Sequence, residues 1–318
     1  NALNWLGMDW DDEIVYQSQN NLKHQSVIEQ LIKSGNAYRC FLTKTELDSL
    51  RDKAEKNKKV FRVPRTYRDF TEEQQKELIS QGKSFTVRLK VPDGVTIFDD
   101  LVYGQIKVDN KDLDDFIIAR SDGSPTYNFV VAIDDIEMKI SHVIRGDDHI
   151  ANTPKQILVY NSLNKNAPIF AHLPMILGSD KKRLSKRHAA TNVQEYKDKG
   201  FTSDSILNYL SLLGWNPDSN EEIFSTEDLI KLFDFKQVQK KSAVFDEKKL
   251  LWISGQKMKE MTSKEIIKEI QLINKEWGKV HKNKFLEEVV SLTKERSKNL
   301  NDITEISKVF LHKEIDFF

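Results

Sequence analysis

The apolar positions of the chain recur at helical spacing in some stretches and alternate or bunch as in strands in others. Residues 21–34 set Val27, Ile28, Leu31 and Ile32 on one helical face, and Gly35 follows where a left-handed cap belongs. Residues 36–41 turn extended, and Thr43 with Glu46 three positions on is a capping-box signature for a second helix. The stretch 44–83 is polar and charged, after which Phe85, Val87 and Leu89 alternate with polar neighbours as in a half-buried strand. A further strand-like run covers 101–108, and Asp93-Gly94 between the two runs is a turn signal, so 37–117 reads as an inserted α+β module. Short apolar runs at 116–119, 126–133 and 140–144 are expected to be buried strands, separated by Ser121-Asp122-Gly123-Ser124-Pro125 and by Asp134-Asp135.

After Ile144 comes Arg145-Gly146-Asp147-Asp148-His149, and Asn152-Thr153-Pro154 then supply a cap and a first-turn proline for a helix over 155–163. Strand, polar loop and helix is an α/β crossover pattern, and in such sheets ligands gather beyond the carboxyl ends of the strands, here at 145–149. Beyond residue 200 helices take over, at 203–213 stopped by Gly214 and at 225–233 opened by Ser225 and Asp228. Residues 257–298 are rich in lysine and glutamate, as a solvated helical surface would be.

Composition narrows the picture. A chain of 318 residues suits two to four modules. The 49 basic residues are matched by 49 acidic ones, so no global positive field advertises nucleic acid and an RNA site must be a local basic surface. One cysteine, Cys40, excludes an internal disulfide framework and a thiolate-rich zinc site, which points to a reducing, cytoplasmic compartment. No run of about 18 apolar residues is present to span a membrane, and the first residues lack a signal-peptide pattern. Residues 1–6 read as the back end of a helix closed by Gly7, without an initiating methionine; the chain is expected to be incomplete there and after Phe317-Phe318.

The densest cationic stretch is Lys181-Lys182-Arg183-Leu184-Ser185-Lys186-Arg187-His188, in a loop after apolar 169–177 and the turn-like Gly178-Ser179-Asp180. Such cations can neutralise phosphate oxygens as charge builds in a transition state, with the serine adding a hydrogen bond. The alternative is an exposed basic loop. Asp147, Asp148 and His149 could be metal ligands, but three consecutive residues converge poorly on one tetrahedral ion, and no metal site is expected.

The loop Arg183-Leu184-Ser185-Lys186-Arg187 resembles the lysine-serine-lysine signature of class I aminoacyl-tRNA synthetases, in the form used by glutamyl-tRNA synthetases. His172-Leu173-Pro174-Met175-Ile176-Leu177-Gly178 before it is similar to that family's flanks, as are Gly200-Phe201 through Asn208 to Trp215, Val244-Phe245-Asp246 and Lys249-Leu250-Leu251-Trp252. So are Ser121 to Phe129 and Val143 to His149, which makes the resemblance span nearly the whole chain. It implies that Tyr127 and Arg145 hold glutamate, the guanidinium forking onto a carboxylate; taken singly, a core tyrosine and a surface ion pair are the alternatives. Gly146, Asp148 and His149 would contact the adenosine, Met175 and Ile176 would offer backbone to the adenine, and Lys186 would reach the phosphates, aided by Arg183, Ser185 and Arg187. ATP with Mg2+, L-glutamate and tRNA(Glu) are the implied reactants, and a monomer is the family expectation.

The fold implied is α/β: a split Rossmann-like parallel-sheet catalytic domain with an α+β insertion, followed by mainly helical C-terminal domains. The division expected is 1–36 as the remainder of the first Rossmann half, 37–117 as the acceptor-arm-binding insertion, 118–187 as the second half with the ATP-phosphate loop, 188–252 as a stem-contact domain, and 253–318 as the start of a helical anticodon-binding domain. Two departures stand out. The family's histidine-rich first signature is absent from these residues, and of the cysteines that bind zinc in many relatives only Cys40 is present, so no zinc is expected. Arg62, Arg65 and Arg68 are candidates to face RNA phosphates, with a solvated arginine face the alternative. Three rivals remain: the glutaminyl-tRNA synthetase, a short glutamyl-queuosine-type paralogue and a non-catalytic tRNA-binding remnant. Helices running on toward residue 318 argue against the first two, while charging of tRNA(Gln) as well is open.

Overall fold

The computed structural model describes residues 2–184 and 192–311, which fall into two compact units, Ile14–His172 and Asn1–Glu13 with Leu173–Phe318. In the first, helix Asn21–Lys33 buries Ile28 and Leu31, and Gly35, at φ 78°, turns the chain into strand β1 (Ala37–Cys40). β1 pairs antiparallel with β2 (Thr86–Leu89). Between them lie helices Lys44–Lys56 and Glu72–Ser80, each opened by a capping box, Thr43 with Glu46 and Thr71 with Gln74. A second sheet has the order β4 (Gly104–Asp109), β3 (Val95–Asp100), β7 (Ile169–Leu173), β6 (His142–Gly146), in which β3 and β4 form an antiparallel hairpin and β3 runs parallel to β7. β5 (Ile117–Ala119) completes the first sheet beside β2. Helix Thr153–Ser162 carries Pro154 in its first turn and buries Leu158 and Val159 in the same core as Ile28, Leu31 and Leu89.

Three sequence expectations change. Residues 126–133 are not a strand: they belong to helix Tyr127–Glu137. Phe129, Val130, Ala132 and Ile133 are all buried there, and a helix enclosed this widely shows a continuous apolar run instead of a one-sided repeat. The second correction concerns 101–108, whose strand begins only at Gly104; Val102 and Tyr103 form the hairpin turn, their amides donating to the Asp100 carboxylate at 3.0 and 2.9 Å. Asp93-Gly94 therefore precedes β3 and does not close a hairpin between the two runs. β3 escaped notice because its alternation is inverted: Thr96, Phe98 and Asp100 face inward while Val95 and Ile97 are about half exposed. Third, Lys257 is not part of a solvated surface but is buried, donating to the Phe224 carbonyl at 2.6 Å and pairing with Asp204 at 2.9 Å.

In the other unit, β8 (Ile176–Leu177) runs parallel to β9 (Ala243–Val244). Helices Ser203–Ser211 and Glu247–Glu260 enclose a core with Ile206, Tyr209, Phe245, Leu250 and Ile253. Helices Ser263–Ile273, Asn283–Thr293 and Leu300–Leu311 share a core of Ile266, Ile270, Trp277, Leu286 and Ile303. Gly200, at φ 82°, accepts the Leu300 amide on its carbonyl at 2.8 Å, and a Cβ there would stand 2.7 Å from the Asn301 nitrogen. Glycine alone meets both the left-handed conformation and that approach.

Candidate active site

Arg145 stands at the carboxyl end of β6, where the crossover order places ligands. Its Nε donates to Nε2 of His172 at 3.1 Å and its Nη2 to the hydroxyl of Thr153 at 2.7 Å. Burial disfavours the charged guanidinium, while Tyr127, whose hydroxyl lies in hydrogen-bonding reach, and Asp135 favour it. The guanidinium keeps its charge at any working pH. Tyr127 opens helix Tyr127–Glu137, half exposed, with its ring 5.9 Å from that of His149. The structure therefore brings Tyr127, Arg145 and His149 together at one edge of this unit, and neither a core tyrosine nor a surface ion pair describes them.

Behind Arg145 the site is deep and polar. His172 is fully buried, and its Nδ1 lies 2.6 Å from the Asp100 carboxylate, which also accepts the His172 amide at 3.1 Å. Burial holds this imidazole below its ordinary pKa even against the Asp100 charge, and Arg145 adds to the depression, so it is neutral at pH 7. Nδ1–H then donates to Asp100 and Nε2 is left as the acceptor that Arg145 uses. Residue-level reading placed His172 only in a flanking motif, took Thr153 only as part of a helix start and passed over Asp100; a buried histidine announces itself through partners 72 residues away, which local spacing does not display.

The loop after β6 runs as a 3-10 turn, Asp147–Asn152. Gly146 packs against its neighbour so tightly that a Cβ would meet Asp148 Oδ1 at 2.7 Å. Asp147 accepts from the Tyr103 hydroxyl at 3.0 Å; burial and this bond push Tyr103 up to about 12. His149 lies 4.0 Å from Asp148 and its Nδ1 is 3.2 Å from the Asn152 amide, while Asp147 turns to Tyr103.

In the other unit, the basic loop leaves a short hairpin. Ile176 and Leu177 pair with residues 183–184, the Leu184 amide reaching the Ile176 carbonyl at 3.0 Å, and the Gly178 amide meets the Lys182 carbonyl at 2.8 Å. Lys181, at φ 61°, occupies the left-handed corner of the turn. This bond already engages the Ile176 carbonyl; Met175 lies just before β8. A concavity of about 620 Å³ is lined by Gly178, Ser179, Leu184, Phe245, Asp246 and Lys248. Ser185, Lys186 and Arg187 lie outside the described residues.

Of Arg62, Arg65 and Arg68, the first two stay largely exposed beside carboxylates and only Arg68 turns inward. Arg62 pairs with Asp112 at 3.1 Å, and Arg68 with the buried Asp115 at 3.3 Å while donating to the Val91 carbonyl at 2.9 Å. Arg65 lies 3.8 Å from the same Asp115, which also accepts from the Tyr38 hydroxyl and the Val91 amide. Arg68 is thus a structural cation, mostly buried by these contacts.

Comparison with known proteins decides the family. The model of class I tRNA synthetases (E and Q), catalytic domain, matches residues 1–252. The chain belongs to this synthetase family. Among the curated relatives, a glutamate–tRNA ligase of Caldanaerobacter subterraneus subsp. tengcongensis is 40% identical over 100% of the chain and 66% of its own length. The Aquifex aeolicus glutamate–tRNA ligase is 42% identical over 99% of the chain and 67% of its own length. The chain thus spans about two thirds of the length of these relatives. The crystal structure of a glutamate tRNA ligase from Elizabethkingia meningosepticum, in complex with its amino acid, superposes with a TM-score of 0.85 at 31% identity, covering 100% of this chain and 70% of that one. The α/β fold with a parallel sheet and a mainly helical C-terminal part is the fold of this synthetase family.

Proposed function

We propose that this synthetase activates L-glutamate with ATP to glutamyl-adenylate and transfers the acyl group to the 3' end of tRNA(Glu). The observation that carries the reading is Arg145: a half-buried guanidinium at the carboxyl end of a strand, with uncharged acceptors on one edge and Tyr127 beside it. Such a fork suits a carboxylate, and glutamate brings two. The relatives, glutamate–tRNA ligases, support glutamate as that amino acid. Glutamate's α-carboxylate attacks the α-phosphorus of ATP in line, breaking the bond to pyrophosphate; a terminal ribose hydroxyl then attacks the mixed anhydride and releases AMP. The protein's share is positioning and charge stabilisation.

Gly146, Asp148, His149, Met175 and Ile176 are assigned to ATP, and Lys186, with Arg183, Ser185 and Arg187, to the departing pyrophosphate. Mg2+ would enter with ATP, since the nucleotide's phosphates supply most of its ligands. In this reading residues 37–117 meet the acceptor arm, 118–187 complete the nucleotide site, 188–252 contact the stem and 253–318 begin the anticodon domain. The protein acts as a cytoplasmic monomer; among the described residues no helix is long and apolar enough to cross a membrane. Aminoacylation of purified tRNA(Glu) and tRNA(Gln), each with glutamate and with glutamine, tests the assignment. Glutamate should load tRNA(Glu); loading of glutamine alone would overturn it in favour of the glutamine enzyme, and glutamate on both tRNAs would mark a non-discriminating enzyme.

A further inference from the structure

The Arg145 guanidinium is held by a relay rather than by an ion pair. Of its five N–H donors, Nε–H and one Nη2–H are committed inward, to His172 and to Thr153. The second Nη2 proton and one Nη1 proton form the outer edge, the edge that two carboxylate oxygens match, with the Tyr127 hydroxyl in reach of the guanidinium. Both inner acceptors are uncharged. A carboxylate in their place would have neutralised the cation inside the protein and weakened its attraction for a substrate anion. The carboxylate in this chain of contacts, Asp100, is set one residue back, behind the imidazole. There it fixes the tautomer: with Nδ1–H given to Asp100, Nε2 must accept.

The plane of the imidazole is fixed as well. His172 is bound to Asp100 through its backbone amide and its ring, and the ring stacks on Phe170 with 13° between planes. Phe170 also lies under Arg145, whose Cζ is 5.8 Å from the ring centroid. Thr153 opens helix Thr153–Ser162 with its hydroxyl oxygen 3.1 Å from His172 Nε2, so both acceptors belong to one buried cluster. The guanidinium is left little freedom to rotate about its own axis.

We infer that His172 and Thr153, with Asp100 behind His172, are positioning residues that aim the outer edge of Arg145 at a carboxylate of the amino-acid substrate. The inference rests on the proposed role of Arg145, and its test separates the two. In the intact protein, aminoacylation is measured with glutamate and ATP varied in turn for Arg145→Lys, Thr153→Val, His172→Phe and His172→Gln. Arg145→Lys should raise the glutamate KM by about 100-fold, because an ammonium lacks the fork. His172→Phe keeps the stacking but removes the acceptor and should raise it by about tenfold; Thr153→Val, which deletes only a hydroxyl, by about fivefold. His172→Gln restores an acceptor and a donor and should return it to within about threefold of wild type. The ATP KM should stay within about twofold throughout.

An unchanged glutamate KM in Thr153→Val and folded His172→Phe, with Arg145→Lys impaired, would overturn the relay and leave Arg145's role intact. An unchanged KM in Arg145→Lys would instead remove the reading on which the relay rests. Equal rises in both KM values, or no rescue by glutamine, would mark a general structural role and also overturn it. If His172→Phe does not fold, Thr153→Val decides alone.

Discussion

The proposed function gives arginine and lysine different work. A planar fork that must recognise a carboxylate needs its rotation fixed, and Arg145 has two inward hydrogen bonds to do so. A point charge that follows moving phosphate oxygens needs reach, which suits Lys186 in the basic loop. Lys186→Ala is expected to slow ATP–pyrophosphate exchange, measured with tRNA present, on the order of 100-fold while changing glutamate affinity less than about threefold. Unchanged exchange would remove Lys186 from the phosphate site. Arg145 and Tyr127 were named through the family resemblance; the residue pattern alone marked the polar segment that holds Arg145, while Tyr127 falls within the apolar run 126–133. The roles of Asp100, Thr153 and His172 were not legible, since they act through burial and through pairing across the chain. Arg68 departs from the sequence reading in the opposite direction: its neighbouring arginines suggested RNA phosphates or a solvated face, whereas a buried carboxylate claims it.

At the level of elements, local chemistry was readable wherever a side chain satisfies its own backbone. Thr43 with Glu46 is the case in point, with the Glu46 carboxylate accepting the Thr43 amide at 2.7 Å and the Thr43 hydroxyl accepting the Glu46 amide at 3.2 Å. Thr43→Ala should cost helix Lys44–Lys56 about 1 kcal/mol, seen as roughly fivefold faster amide hydrogen exchange in that helix; equal exchange in the two proteins would show that the cap contributes nothing. Elements defined by what surrounds them were misread. Helix Tyr127–Glu137 hides its period because neighbours cover it broadly, and β3 hides because its inward positions include Thr96 and Asp100. Asp100 is inward for a reason that only the site supplies: it holds His172.

For the whole molecule, long-range pairing is the part that no local pattern announces. Sequence order grouped 95–109 with the polar stretch before it, yet β3 pairs with β7 at Asp100 and Phe170, drawing this hairpin into one sheet with β6. The same pairing sets Asp100 beside β7, two residues from His172. The approach of Gly200 to Leu300 and Asn301 is a second contact of this kind, between segments 100 residues apart. Gly200→Ala should lower stability by roughly 2 kcal/mol or more, measured by thermal unfolding, because the added methyl meets backbone and the left-handed conformation is lost to strain. An unaltered transition would show that the chain simply gives way. That contact also has a genetic meaning. A junction that a single methyl group can wedge apart is one that heat can finish opening, so Gly200→Ala is a rational design for a conditional allele, active in the cold and failing on warming, made without touching any residue of the proposed site.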